Sequence, residues 1–230
     1  MVGDDLLWQI GKLGRLRFWY QARKRRGVLE LFVGLNNALA MGILGFMAYL
    51  TSWPLIFPSL GPSLFLIFYA PQRAMSAPRN TLLAHLLGGA IGLGLFTLLE
   101  TLGLVSGTSF DQGRILSAAL SLGLFGFLMI RLRILHPPAA STALIAATGL
   151  LPHWSYLPLL GLALIIIILQ AHLLHRLAGI PYPSWSPLKE EEPEIFTPVG
   201  RLKFGSSTPQ DLSELADQLI ASGRPNQQKR

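Results

Sequence analysis

The sequence contains no cysteine, which excludes disulfide bonds and thiol chemistry. It is also poor in charge: 13% of its 230 residues are Asp, Glu, Lys or Arg, whereas a soluble domain has about a quarter. The shortage is greatest in residues 28–177, which hold six basic and three acidic side chains. Such a long stretch with so few charges is typical of a membrane domain.

The distribution of charge predicts three parts. Residues 1–27 hold seven basic side chains and form a basic cytoplasmic segment, and residues 28–177 form the transmembrane domain. Residues 178–230 form a proline-rich acidic linker, "AGIPYPSWSPLKEEEPEIFTP", and a short C-terminal amphipathic helix over "TPQDLSELADQLIAS". Although the sequence pI is near 10.1, the basic residues flank apolar segments, so they indicate a lipid bilayer and not a nucleic acid as partner.

Six apolar segments are visible in the middle of the chain, which predicts an all-α membrane protein. They cover residues 28–50, 54–70, 80–102, 113–130, 134–150 and 156–177. The second and fifth have 17 residues each, near the lower limit for a crossing helix, and both have proline near their start. Six crossings with the N-terminus inside put Arg73, Arg79, Arg131 and Arg133 on the inside, as the positive-inside rule requires. The alternative is four crossings, with the second and fifth segments re-entrant.

The middle of the chain also contains a weak internal repeat. "LGPSLFLIF" (residues 60–68) aligns with "LHPPAASTA" (residues 135–143), so that Pro62 pairs with Pro137. Each half is then a long segment, a short proline-started segment and another long segment. Because three crossings is an odd number, the second half is inverted relative to the first. Inverted repeats recur in transporters, where substrate sites lie near the midplane at discontinuous helices.

Both short segments predict a helix that begins inside the membrane domain, at Ser63 and at Ala139. The first turn of a helix has N–H groups without intrahelical partners, and proline is tolerated there. Such ends favour anions. With Arg131 and Arg133 close to the second helix start, we predict an anion pathway, while a plain helix start at the interface remains the alternative.

Two stretches resemble a known family. "HPPAASTALIA" (residues 136–146) resembles the signature of the HPP family of integral membrane proteins, and residues 61–92, with "PRN" followed by a histidine, resemble that family's other marked block. Ala139, Ala140, Leu83 and Ala84 depart from the glycines or small residues common there. The resemblance implies four-spanning proteins, nitrite transport as in related plastid and cyanobacterial members, and a bacterial inner membrane as location.

Several polar residues are candidates for binding the anion. His136, with Pro137 and Pro138, marks the second helix start, Ser63 lies at the first, and His85 is a costly polar group within the third segment. Arg73, Arg79, Arg131 and Arg133 are expected to line an inner vestibule, and Asn80 to cap the third helix. The alternative for each is a structural role. The remaining polar and small residues, among them Asn36 and the ridges Gly34–Ala38–Gly42 and Ala84–Gly88–Gly92, are expected to serve interhelical packing and hydrogen bonding.

No enzyme constellation, cofactor motif or metal site is expected. The spacing of His172 and His175 suits a metal, but neither an acidic residue nor a cysteine lies nearby. The sequence therefore predicts a transporter or channel for a small inorganic anion, with nitrite as the substrate that the resemblance implies. The alternative is a non-transporting membrane scaffold whose C-terminal tail recruits a partner. A homo-oligomer is compatible with either.

Overall fold

Apolar runs separated by prolines, glycines and polar loops form the helices of this protein. The computed structural model describes residues 26–106, 111–151, 153–180, 182, 194–197 and 200–203. Within them lie six α-helices, and a short 3₁₀ turn, Ala74–Ser76, lies between the second and the third. The helices are α1 Arg26–Thr51, α2 Leu60–Tyr69, α3 Pro78–Thr101, α4 Gln112–Arg131, α5 Ala139–Ala147 and α6 Tyr156–Leu177.

Four of these helices, α1, α3, α4 and α6, are long and apolar enough to cross a bilayer. Large apolar side chains point away from the bundle on several of them, such as Leu35 (60% exposed), Phe127 (64%) and Leu169 (63%). Exposed apolar surface on this scale would be unfavourable in water and suits contact with lipid. The chain is therefore a multi-pass membrane protein.

The other two helices, α2 and α5, have 10 and 9 residues. At 1.5 Å per residue they are about 15 and 14 Å long, half of the hydrocarbon thickness. Neither can cross as a helix, and of the apolar segments 54–70 and 134–150 only the second part of each is helical. Pro54 and Pro58 remove backbone donors from the first segment, and Pro137 and Pro138 remove them from the second.

The two helix starts differ from each other in how well the sequence locates them. Helix α5 begins at Ala139, which confirms the prediction. Helix α2 begins at Leu60 and not at Ser63. Pro62 therefore lies inside the first turn, where its missing N–H costs no intrahelical hydrogen bond.

Ring contacts locate one end of the bundle. Phe32 near the start of α1 lies 6.1 Å from Phe68 near the end of α2, and Phe68 stacks at 5.2 Å on His175 near the end of α6. The chain continues from α2 into residues 70–77, and the loop of residues 132–138 meets them through a hydrogen bond from His136 to Met75. We call this the arginine end, because these two loops and their flanks carry Arg73, Arg79, Arg131 and Arg133.

The opposite end of the bundle, the far end, holds the end of α1, the α3–α4 loop and the start of α6. Here a Cβ at Gly94 would lie 4.0 Å from Trp154, and Gly149, just after α5, lies against Phe96. The carboxylate of Asp111 begins α4 by accepting the N–H groups of Ser106 (2.6 Å) and Arg114 (2.8 Å). These two hydrogen bonds lower the pKa of the Asp111 carboxyl.

Glycines of α3 allow α5 to approach closely. A Cβ at Gly88 would lie 2.9 Å from the carbonyl oxygen of Ala139, and one at Gly92 would overlap the carbonyl oxygen of Ala143. The order of these contacts shows that α5 runs parallel to the second half of α3, from the middle of the bundle toward the far end. The expected packing role of the Gly88–Gly92 ridge is thereby confirmed. In contrast, nothing lies within 4 Å of a Cβ at Gly34 or Gly42, so that ridge has no packing partner in the described residues.

The chain divides into two units, residues 1–188 and 189–230. In the described part of the first unit every regular element is helical. In the second unit β1 (Glu194–Thr197) pairs antiparallel with β2 (Gly200–Lys203), and Glu194 lies opposite Lys203. The sequence predicts only an extended linker at this place. The predicted C-terminal amphipathic helix and nearly all of the basic N-terminal segment lie outside the described residues.

Candidate functional site

Five polar side chains meet inside the apolar bundle. Ser63, Thr81, His85 and His136 have no exposed surface, and Thr142 is 1% exposed. They come from four different elements: α2, α3, the loop before α5, and α5 itself. Burial of this many polar groups is unfavourable unless they bind each other. We call these five residues the polar cluster.

Short hydrogen bonds join the polar cluster into a chain. The hydroxyl of Ser63 lies 2.7 Å from Nε2 of His85 and 2.9 Å from Nε2 of His136. At one end, Nδ1 of His85 lies 2.6 Å from the hydroxyl of Thr142. At the other end, Nδ1 of His136 lies 2.6 Å from the carbonyl oxygen of Met75 in the 3₁₀ turn. Both imidazole rings are therefore bound through both of their nitrogens.

The Met75 carbonyl determines the direction of this chain. A carbonyl only accepts, so Nδ1 of His136 carries a hydrogen, and Nε2 of a neutral His136 must accept from Ser63. At 2.9 Å this bond is shorter than the alternative from the Ser63 hydroxyl to the carbonyl oxygen of Ser59 at 3.3 Å. The oxygen of Ser63 then accepts from Nε2–H of His85, whose Nδ1 accepts from Thr142. All four hydrogen bonds thus point from Thr142 toward Met75 when both rings are neutral.

The local structure explains where these residues lie. His85 is seven residues after the start of α3 at Pro78, about 10 Å into the helix. Ser63 lies in the first turn of α2, and His136 directly precedes the two prolines that start α5. The starts of both short helices therefore meet at the polar cluster, inside the bundle.

The first-turn N–H groups of the short helices, which were expected to lack intrahelical partners, bind backbone carbonyls of the preceding turn. Three N–H groups of α5, those of Ala139, Ala140 and Ser141, donate to the carbonyl oxygens of residues 136, 137 and 138 at 3.0–3.2 Å. In α2, Leu60 donates to Phe57 at 2.9 Å, and Gly61 donates to Pro58 at 3.4 Å. Tight turns satisfy these donors, so a ligand here would be bound by side chains.

The arginines predicted near the site lie at the arginine end and not in the polar cluster. Arg73, Arg131 and Arg133 are exposed, and Arg79 is half-buried. In the described part of the chain none of them hydrogen-bonds His85 or His136. Arg133 has a positive φ of 53° and ends the turn after α4. Of the two prolines that were predicted to belong to the binding site, Pro137 is exposed and Pro138 is half-buried.

Asn80 connects the two loops of the arginine end and does not cap α3. Its side-chain amide donates to the carbonyl oxygens of Ala74 (3.0 Å) and Leu135 (3.5 Å). Helix α3 begins earlier, at Pro78, with Ala77 as a cap that contributes no side-chain hydrogen bond. The expected interhelical role of Asn36 is also wrong, since its amide donates to Phe32 of its own helix at 2.6 Å.

Sequence reasoning missed Thr81, Thr142 and the carbonyl of Met75. Thr81 lies four residues before His85, on the same face of α3, and its hydroxyl lies 3.5 Å from Nδ1 of His136. Helical spacing from His85 could have indicated Thr81. Thr142 follows Ser141 in an alanine-rich helix, and nothing in that sequence links it to His85 on α3. A backbone carbonyl has no sequence signal at all.

Comparison with known proteins agrees with the membrane architecture. The chain is 28% identical over 115 residues to a transmembrane protein of Dictyostelium discoideum, over 48% of this chain and 38% of that protein. It thus spans well under half the length of this curated relative. No solved structure matches the chain. The pattern of the HPP transmembrane region matches residues 23–183, which include the polar cluster and all six helices; the chain therefore belongs to the HPP transmembrane region family.

Proposed function

We propose that this protein is a transporter or channel for a small inorganic anion and that the polar cluster forms part of its binding site. One observation carries the proposal: polar side chains from four elements meet, fully buried, inside a bundle whose other buried side chains are mostly apolar. Polar groups inside a membrane domain are costly and usually serve a function. Membership in the family and four apolar spans fit a membrane transporter or channel. Nitrite is the first candidate substrate, on the resemblance to nitrite-transporting members.

The contacts support six traversals by two inverted halves. Residues 52–69 start at the far end, where Gly45 of α1 lies near Ile56, and they finish at the arginine end, where Phe68 meets Phe32. Residues 132–150 run the opposite way. Each traversal consists of an extended part and a short helix, and the two short helices start near the middle. In this topology the arginine end and the N-terminus are cytoplasmic, as the positive-inside rule favours.

Two parts of the protein act on the anion in turn: the arginine end attracts it, and the polar cluster binds it. Four arginines at the arginine end raise the local concentration of anions. The hydroxyls of Ser63, Thr81 and Thr142 and the two imidazoles then replace water around the anion by exchanging hydrogen bonds that they make to each other for hydrogen bonds to the anion. Small oxyanions accept several such bonds. Because the cluster contains no carboxylate, no fixed negative charge repels the anion from it.

Uptake of nitrite, nitrate, chloride and formate into liposomes that contain the full chain tests this proposal. We expect saturable flux for at least one anion and a decrease of at least tenfold per folded molecule in His136→Gln. The matched control is His153→Gln, because His153 is exposed and stacks on Tyr156 at 6.2 Å, away from the cluster. Deletion of residues 189–230 should leave flux intact, whereas a scaffold would lose its activity. Absence of saturable flux for every anion contradicts the proposal.

A further inference from the structure

We infer that His85, Ser63 and His136 form a site for a single proton that moves together with the anion. The inference rests on the proposed function, because it assigns a co-substrate to the same site. It starts from the hydrogen bonds of the polar cluster, in which every ring nitrogen of His85 and His136 has a partner within 3 Å. Such a continuous chain is the arrangement that transfers protons between imidazoles and hydroxyls.

One proton fits into this chain without movement of any heavy atom. A proton that reaches Nδ1 of His85 allows its Nε2 to pass a hydrogen to the oxygen of Ser63. Ser63 then passes its own hydrogen to Nε2 of His136, which becomes an imidazolium. One proton has entered at Nδ1 of His85. Beyond that entry two N–H or O–H bonds have broken and two have formed, and no electrons have been gained or lost.

The protonated chain keeps all four hydrogen bonds, but three of them have reversed. His136 now donates to Ser63, Ser63 donates to His85, and His85 donates to Thr142. The bond from Nδ1 of His136 to the Met75 carbonyl stays as it was, since it suits both the neutral and the charged ring. The proton leaves by the reverse of these steps: Nε2 of His136 returns a hydrogen to Ser63, Ser63 returns its own to Nε2 of His85, and Nδ1 of His85 releases the proton, which restores the neutral chain.

A second proton is disfavoured by charge. The two ring centroids are 5.1 Å apart, so two imidazoliums would repel each other in an apolar surrounding. No carboxylate, lysine or arginine of the described residues hydrogen-bonds either ring. The charged groups on the elements packed around the cluster lie nearer the ends of the bundle. They are Arg73 and Arg133 on the loops that carry Met75 and His136, Arg79 and Glu100 on α3, Arg114 and Arg131 on α4, and Arg176 with His172 and His175 on α6.

A single proton has a consequence for transport. One positive charge on the cluster balances a monovalent anion, so the pair crosses the apolar interior with no net charge. Moving an isolated charge through the same interior would be far more costly. We therefore expect one proton to accompany each anion and transport to be electrically silent.

The test uses liposomes that contain the full chain, an internal pH dye and an inward gradient of sodium nitrite at clamped membrane potential. Protein-free liposomes give the background from nitrous acid that crosses lipid unaided. We expect one proton per nitrite and a rate that does not change with potential. Ser63→Ala, which disconnects the two rings, should lower proton-coupled flux at least tenfold. Ser141→Ala is the matched control, because that hydroxyl binds Pro138 of its own turn at 2.6 Å.

Flux that carries net charge, or nitrite flux without protons, overturns the inference and leaves the proposed function standing. Absence of flux for every anion overturns the proposed function and the coupling with it. The proton site itself is judged independently by ¹⁵N NMR of histidine-labelled protein in lipid, assigned with single His→Gln variants. We expect the neutral His136 to carry its hydrogen on Nδ1, the neutral His85 on Nε2, and acid to add one proton to the pair. The opposite tautomer at His136, or two independent protonations, overturns the one-proton site.

Discussion

The two short helices reach the same polar cluster, but they are held in opposite ways. Helix α2 packs through bulk: Leu60, Leu64, Ile67 and Phe68 are fully buried against α1 and α6. Helix α5 packs through small size: its buried residues are four alanines and Thr142, and they lie against glycines of α3 and against Phe125 of α4. Neither helix has a side-chain cap at its start.

This difference indicates which changes each helix tolerates. The position of α5 depends on the absence of side chains, so added volume displaces it. The position of α2 depends on the presence of side chains, so removed volume leaves a cavity. Because Ser63 and Thr142 come from these two helices, the geometry of the polar cluster depends on both kinds of packing.

The largest effect is expected from Gly92→Leu. A Cβ at Gly92 already overlaps the carbonyl oxygen of Ala143 and would lie 2.7 Å from Cβ of Ala146, so α5 cannot dock. We expect almost no folded protein, measured as the monodisperse peak in detergent size-exclusion chromatography. Gly94→Leu is the control, because a Cβ at Gly94 would meet only Trp154 at 4.0 Å. Equal yields of the two variants would show that the docking of α5 does not depend on the absence of a side chain at Gly92.

A smaller effect is expected from Leu64→Ala in α2. Leu64 has no exposed surface, and its truncation leaves a cavity that costs about 2–5 kcal/mol. The measurement is the unfolding free energy in mixed detergent. Phe65→Ala on the same helix serves as control, since that ring is 46% exposed and its loss creates no cavity. If the two substitutions destabilise equally, bulk packing does not hold α2.

Thr142→Val should cost about 1–3 kcal/mol, because it keeps the shape of α5 and leaves Nδ1 of His85 without its donor. Thr142→Ser restores the hydroxyl and should recover most of the lost stability. Thr148→Val is the control, because the Thr148 hydroxyl binds Leu144 and Ile145 of its own helix at 2.9 and 3.1 Å. If Thr142→Val is as stable as Thr148→Val, the hydrogen bond from Thr142 to His85 does not stabilise the protein.

The smallest effect concerns the start of α4, which, unlike the starts of α2 and α5, has a side-chain cap. The carboxylate of Asp111 has a lowered pKa in the folded protein, so it stabilises the fold at neutral pH, and this stabilisation is lost as pH falls through that pKa. Asp111→Asn should therefore unfold at a slightly lower temperature at neutral pH and match the unmodified protein in acid. A difference between the two proteins that stays constant with pH would mean that the charge of Asp111 is irrelevant.

Much of the fold follows from patterns that the sequence displays. Four long apolar segments became long helices, and the start of α5 after Pro138 was located to the residue. The sequence could not give the length of α2 and α5, because an apolar run predicts burial and does not distinguish helix from extended chain. The role of Asn80 was misjudged for a similar reason. A cap and a link between two loops both need only a polar side chain next to a helix start.

The sequence alone determined that the chain resides in a membrane, that proline interrupts two of its apolar segments, and that Ser63, His85 and His136 stand out there. Hydrophobicity and the missing N–H of proline act locally, so they can be read residue by residue. Only the tertiary structure decided that Ser63 binds both His85, 22 residues away, and His136, 73 residues away. It also decided the direction of those bonds, because the group that fixes it is the backbone carbonyl of Met75, and every residue has such a group.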